Sequence, residues 1–118
     1  MPEKTREMQV AQLVFLGEQD GPPERELKEQ LAKFFLSSSA VRSAYLARIA
    51  YGSNSAPVVA LCLRNEFGQD QILVESAGNI FASMFGRDEH MDIVFLDERQ
   101  EAELSKVCRA FFVGSVAN

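Results

Sequence analysis

The sequence holds one histidine and two cysteines, and its 12 basic residues are outnumbered by 17 acidic ones in a chain of 118. Each scarcity removes a class of function. Cys62 and Cys108 lie far apart with no C-x-x-C pair, so neither a zinc knuckle nor a thioredoxin-type site has support. Both read as buried, reduced thiols that behave as small apolar side chains. A net charge of −5 opposes the phosphate backbone of nucleic acids and anionic lipid surfaces, which excludes both as expected partners. The first ten residues lack the apolar stretch of a signal peptide, and no later run is long enough to cross a bilayer. A cytoplasmic protein is expected. No phosphate-loop or dinucleotide motif, repeat or low-complexity tract occurs, so no cofactor is expected.

What is present is apolar: 47% of the residues, enough to bury one compact core without metal or disulfide. The chain divides into a polar leader (1–9), a single α+β domain (10–113) and a short tail (114–118). Val10 to Leu16 is β-branched and aromatic and is closed by Gly17, which marks a first strand. Pro22-Pro23 followed by Glu24 and Glu26 suits a helix start: proline loses nothing at the first position, and acids favour the positive end of the dipole. Leu27, Leu31, Phe34 and Phe35 then form one stripe, which Ser37-Ser38-Ser39 ends.

The central feature is a β-hairpin, in which strands at Val41–Tyr51 and Val58–Leu63 flank Gly52-Ser53-Asn54-Ser55-Ala56-Pro57. Beyond a polar turn around Gly68, Asp70 is placed to cap a helix carrying Ile72, Leu73, Ala77, Ile80, Phe81, Met84 and Phe85 on one side, with Gly86 at its C-cap. Asp92–Leu96 supplies a fourth strand, and Glu98–Phe112 is expected to form a third helix, with Leu104, Val107, Cys108 and Phe111 on one face.

The order βαββαβ with a C-terminal helix predicts a ferredoxin-like sandwich, an antiparallel four-stranded sheet with two helices on one face. That topology places the first and third strands innermost and the second, with Arg42 and Arg48, at an edge, where charge blunts unwanted pairing. By parity, Val41, Tyr45 and Ile49 face the helices. The opposite face is expected to carry Gln12, Val14, Leu46, Arg48, Ala60, Cys62 and Val94. It is too apolar to lie bare, so either the third helix or another chain covers it.

In order and spacing, Phe15-Leu16-Gly17-Glu18 closing the first strand, Val41…Ala44-Tyr45-Leu46, the aliphatic strand after Pro57, and Asp92-Ile93-Val94-Phe95-Leu96 resemble the C-terminal domain of the SseB (enhanced serine sensitivity) family over about Val10 to Phe112. Where the family tends to end in Pro-Phe-Tyr, this chain has Ala110-Phe111-Phe112, and the N-terminal domain that usually precedes this one is expected to be missing. The resemblance implies a bacterial cytoplasmic protein with a link to serine tolerance. It supplies no accepted catalytic residues.

Three function classes follow. The first is a non-enzymatic interaction or regulatory module that contacts a second copy or another protein through Tyr45, Leu46, Arg48, Phe111 and Phe112, since exposed aromatics anchor interfaces. The second is a small-ligand sensor of the ACT-like type, with an amino acid held at the loop of Gly17 and Gly21, where backbone amides approach a helix N-terminus. The third is a hydrolase or metal site around His90, with Asp88, Glu89 and Asp92 beside it. A solvated turn explains the histidine cluster as well, and the expectation is no catalytic residue and no metal.

Overall fold

The computed structural model describes residues 13–37, 40–52, 56–66, 68–86 and 88–114. The elements are β1 (Leu13–Glu18), α1 (Pro22–Leu36), β2 (Val41–Tyr51), β3 (Val58–Asn65), α2 (Gln71–Phe85), β4 (Asp92–Phe95), α3 (Glu98–Leu104) and β5 (Phe112–Val113). Val10 to Gln12, expected to open the first strand, lie outside the described residues.

Local chemistry explains where the helices begin and end. Pro22 and Pro23 occupy the first positions of α1, with Glu24 in its first turn. At its end, Ser37 turns its hydroxyl back onto the Phe34 carbonyl (2.7 Å). Asp70 caps α2 by accepting from the Leu73 amide (3.2 Å), and Gly86 closes it at φ +87, a conformation that side chains with a Cβ rarely adopt. The buried stripe of α1 is Leu27, Leu31 and Phe35. Burying each such side chain fully is worth about 1.5–3 kcal/mol relative to exposure.

The sheet order is β1-β2-β3-β4, and β5 adds to β2 beyond the end of β1. β1, β3 and β5 each pair with β2 antiparallel, whereas β3 and β4 run parallel. This corrects the expected ferredoxin-like antiparallel sheet: the sheet is mixed, β2 and β3 are its inner strands, and β1 lies at an edge. Parallel neighbours need a crossover, and α2 supplies it between β3 and β4. The two arginines of β2 are accommodated in an inner strand in different ways. Arg42 sits in the irregularity between Val41 and Ser43, and Arg48 pairs with Gly17 at the irregularity of β1. The bulge on β2 re-aims Arg42 to the surface, whereas Arg48, in regular register with Val59 of β3, is exposed opposite Gly17, which has no side chain.

Each face of the sheet carries a core. On one, Val41, Ala44, Leu46, Leu61 and Leu63 pack with Leu27, Leu31 and Phe35 of α1 and with Leu73 and Ala77 of α2. On the other, Tyr45, Ala47, Ile49, Ala60 and Cys62 pack beneath Leu104 and Cys108. The expected division of faces is therefore corrected by the register. Leu46 stands opposite Leu61 and faces the helices, while Tyr45 opposes Cys62 and faces away. The bulge after Val41 shifts parity by one, which returns Val41 to the helix side.

The third helix is also shorter than expected. It ends at Leu104, and the chain continues across the second face to β5. There the Gly114 amide donates to the Arg42 carbonyl (2.8 Å), and the approach is so close that a Cβ on Gly114 would meet the Val41 carbonyl. Of the two ways to cover the second face, the structure uses the chain's own C-terminal part.

Candidate functional site

Where β2, β3, α3 and β5 meet, a polar cluster gathers on Glu101. Asp97 fixes the start of α3 through a reciprocal capping box with Gln100: the Gln100 amide donates to Asp97 Oδ1 (2.7 Å) and the Asp97 amide to Gln100 Oε1 (3.0 Å). That start sets Glu101 over the sheet. Ser43 and Tyr45 are two apart on β2 and project to the same side, and Arg64 of β3 pairs with Ser43. Glu101 Oε2 accepts from Ser43 Oγ (2.5 Å) and Tyr45 OH (2.7 Å), and Oε1 accepts from Arg64 NH1 (3.0 Å).

The electrostatics follow from those contacts. Burial pushes the Glu101 carboxyl up, but the hydrogen bonds from Ser43 and Tyr45 and the charge of Arg64 outweigh it, leaving the pKa below the usual carboxylate value. Burial, reinforced by the bond to Glu101, pushes the Tyr45 phenol up to about 12. A carboxylate so stabilised is a weak base toward the hydroxyls that donate to it, so the cluster is poorly suited to generating a serine nucleophile. Beside it opens a cavity of about 270 Å³ whose lining includes Arg42, Arg64, Ala110 and Val113.

The residues singled out in the sequence fall in different places. Tyr45 joins the cluster just described. Leu46 is fully buried beneath the helices, and Arg48 is exposed. Phe112 is buried and Phe111 half-buried, with ring centroids 5.5 and 6.4 Å from that of Phe35. They belong to the helix-side core. At the loop of Gly17 and Gly21, the acids already have partners: Lys28 Nζ meets Glu18 (2.8 Å) and Asp20 (3.1 Å), and Arg25 meets Asp20 (3.1 Å). Burial pulls the Lys28 pKa down, but its bonds to Glu18 and Asp20 prevail and raise it. The Gln19 amide donates to the Leu46 carbonyl (3.0 Å).

His90 pairs with Asp92 at the surface, and Tyr51 OH donates to the same carboxylate (2.6 Å). Among the described residues no group of three or more His, Cys, Asp or Glu is placed to hold a metal ion. Cys62 and Cys108 share the second core. Burial, above all, raises the two thiols to about 12 and about 11, so neither is a ready nucleophile. Sequence reading missed Ser43, Arg64 and Glu101. The i, i+2 spacing of Ser43 and Tyr45 was a visible signal, but Glu101 lies 58 residues from Ser43, and its helix reads as a solvated face.

Among the described residues β1 and β4 are the edges of the sheet, and the β1 edge is the other accessible feature. On β1, Leu13 and Phe15 tuck toward the second core, while Val14 and Leu16 remain 41% and 43% exposed. Among the described residues no helix is long and apolar enough to cross a membrane. A family model described as the SseB protein C-terminal domain matches residues 11–113. No curated protein and no solved structure matches the chain.

Proposed function

We propose, from the premise that the chain belongs to the SseB C-terminal domain family, that it is a non-enzymatic interaction module of the bacterial cytoplasm and that the edge of β1 is its contact surface. The family link to serine sensitivity then describes the physiology in which the contact is made. The second sheet face is not the adhesive surface, because the chain's own C-terminal part lies over it.

The observation that carries this reading is β1 itself. Among the described residues it pairs with β2 on one side only, and it shows Val14 and Leu16 to solvent without a charged or proline residue between Leu13 and Gly17. Edge strands of that composition are templates for a further strand unless blunted. β1 is blunted only at its end, by the charged Glu18 and by the bulge between Phe15 and Gly17, which confines pairing to its first residues.

The partner is a second copy of this chain. Antiparallel pairing of the first residues of two β1 strands about a two-fold axis brings the exposed Val14 and Leu16 of the two copies together, making the patch self-complementary. Sedimentation velocity across a concentration series checks this. The sedimentation coefficient should rise with concentration, and Val14→Lys with Leu16→Lys should abolish the rise while leaving the melting temperature unchanged. A coefficient that stays monomeric throughout, or a rise the double variant retains, contradicts the proposal.

A further inference from the structure

The cavity beside Glu101 lies against the half of β2 that β5 covers, away from the β1 edge, and its chemistry is of another kind. Its lining brings together two arginines and one glutamate in a chain whose overall charge is −5. Glu101 is already satisfied, with both carboxylate oxygens engaged by Ser43, Tyr45 and Arg64. Arg64 spends one terminal nitrogen on it, and the Arg42 guanidinium has no hydrogen bond or ion pair among the described residues. The remaining capacity of the site is therefore cationic and rich in N–H donors. The rest of the lining includes the apolar Ala110 and Val113.

We propose that this cavity is a binding site for a small organic carboxylate, held by Arg42 and Arg64 with its carbon body against Ala110 and Val113. A guanidinium presents a planar fork of donors that matches a carboxylate in two parallel bonds. The volume, about 270 Å³, lies below the range of drug-sized pockets and suits a molecule of a few carbons. Ser43 and Tyr45 contribute in a second way. Each gives its hydroxyl proton to Glu101, so each oxygen is left as an acceptor, and a ligand with an N–H or O–H beside its carboxylate gains a further bond. Plain carboxylates bind through the arginines alone; hydroxy- and amino-carboxylates bind more tightly. The backbone contact of Gly114 with Arg42 holds β5 and the arginine-bearing bulge together.

The test is a titration followed by amide NMR, with propionate, lactate, alanine and inorganic phosphate as separate probes. Saturable shifts confined to the neighbourhood of Arg42, Ser43, Arg64, Glu101 and Val113 are expected with the carboxylates, lactate and alanine outbinding propionate. Arg42→Gln, a surface change, should weaken binding by about tenfold or more, in proportion to the charge-assisted bonds removed, with the melting temperature unchanged. If Arg42→Gln proves unstable, the wild-type shift map alone decides the matter. Absence of saturable shifts with every carboxylate, response to phosphate alone, or unchanged affinity in a folded Arg42→Gln variant overturns the proposal.

Discussion

Phe35→Ala is expected to lower stability by about 3–5 kcal/mol, the range for removing a buried phenyl ring when the surroundings relax only in part. Phe35 has no solvent exposure and stands where α1, β2 and β5 converge. Its ring lies 5.5 Å from that of Phe112 in an edge-on arrangement, 6.4 Å from that of Phe111 and 5.6 Å from that of Phe34. One substitution therefore removes transfer energy, aromatic pairing and the seat of the C-terminal strand together. A loss of that size is a large part of the roughly 5–15 kcal/mol available to a domain. Urea unfolding measures it as a fall in midpoint with the slope preserved. Ile72→Ala is the internal contrast. Ile72 is 75% exposed, and its loss should change stability by no more than about 0.5 kcal/mol. A Phe35→Ala cost below about 1 kcal/mol would mean that α1 does not seat on the sheet as described.

Glu101→Ala is expected to cost about 2 kcal/mol at neutral pH, because it strands the hydroxyls of Ser43 and Tyr45 and the guanidinium of Arg64 around a lost acceptor. The cost should depend on pH in a fixed direction. Burial raises the Glu101 pKa, its hydrogen bonds and Arg64 lower it further, and the folded value lies below the unfolded one. Its contribution is therefore complete above the unfolded value near 4.5 and is lost as the pH falls through the depressed folded value. Wild type should lose stability on acidification more steeply than the variant, so the two unfolding curves converge. A gap that stays constant from neutral to acid pH would show that the carboxylate contributes packing alone.

The local elements were legible because each is governed by nearby residues. The prolines of α1, the Asp70 cap, the Gly86 terminator and the breakers between β2 and β3 lie within a few positions of what they control. The family was legible as well, since the ordered strands extend over the whole matched stretch. Sheet order was not. Charge in β2 suggested an edge, yet Arg42 escapes through a bulge, which depends on the partner strand, and Arg48 is exposed opposite Gly17 of β1. The same cause misassigned the faces: an inserted residue inverts parity, so Val41 and Tyr45 cannot share a side even though their spacing says they should. The segment after Leu104 keeps helical spacing at Val107, Cys108 and Phe111 but is drawn out toward β2, where Phe112 finds Phe35. Tertiary pairing overrode local pattern there. The Glu101 cluster was invisible for a related reason, since its members come from β2, β3 and α3 and share no local signal.

The most direct test of the functional account is hydrogen–deuterium exchange at β1, read at low and high protein concentration. The amides of Leu13–Glu18 that point away from β2 have no strand partner among the described residues. If that edge is where a second copy adds its strand, those amides should exchange freely in dilute solution and become protected as concentration rises, while β3 changes little. Protection of β1 that does not vary with concentration would contradict the account, whatever the sedimentation behaviour.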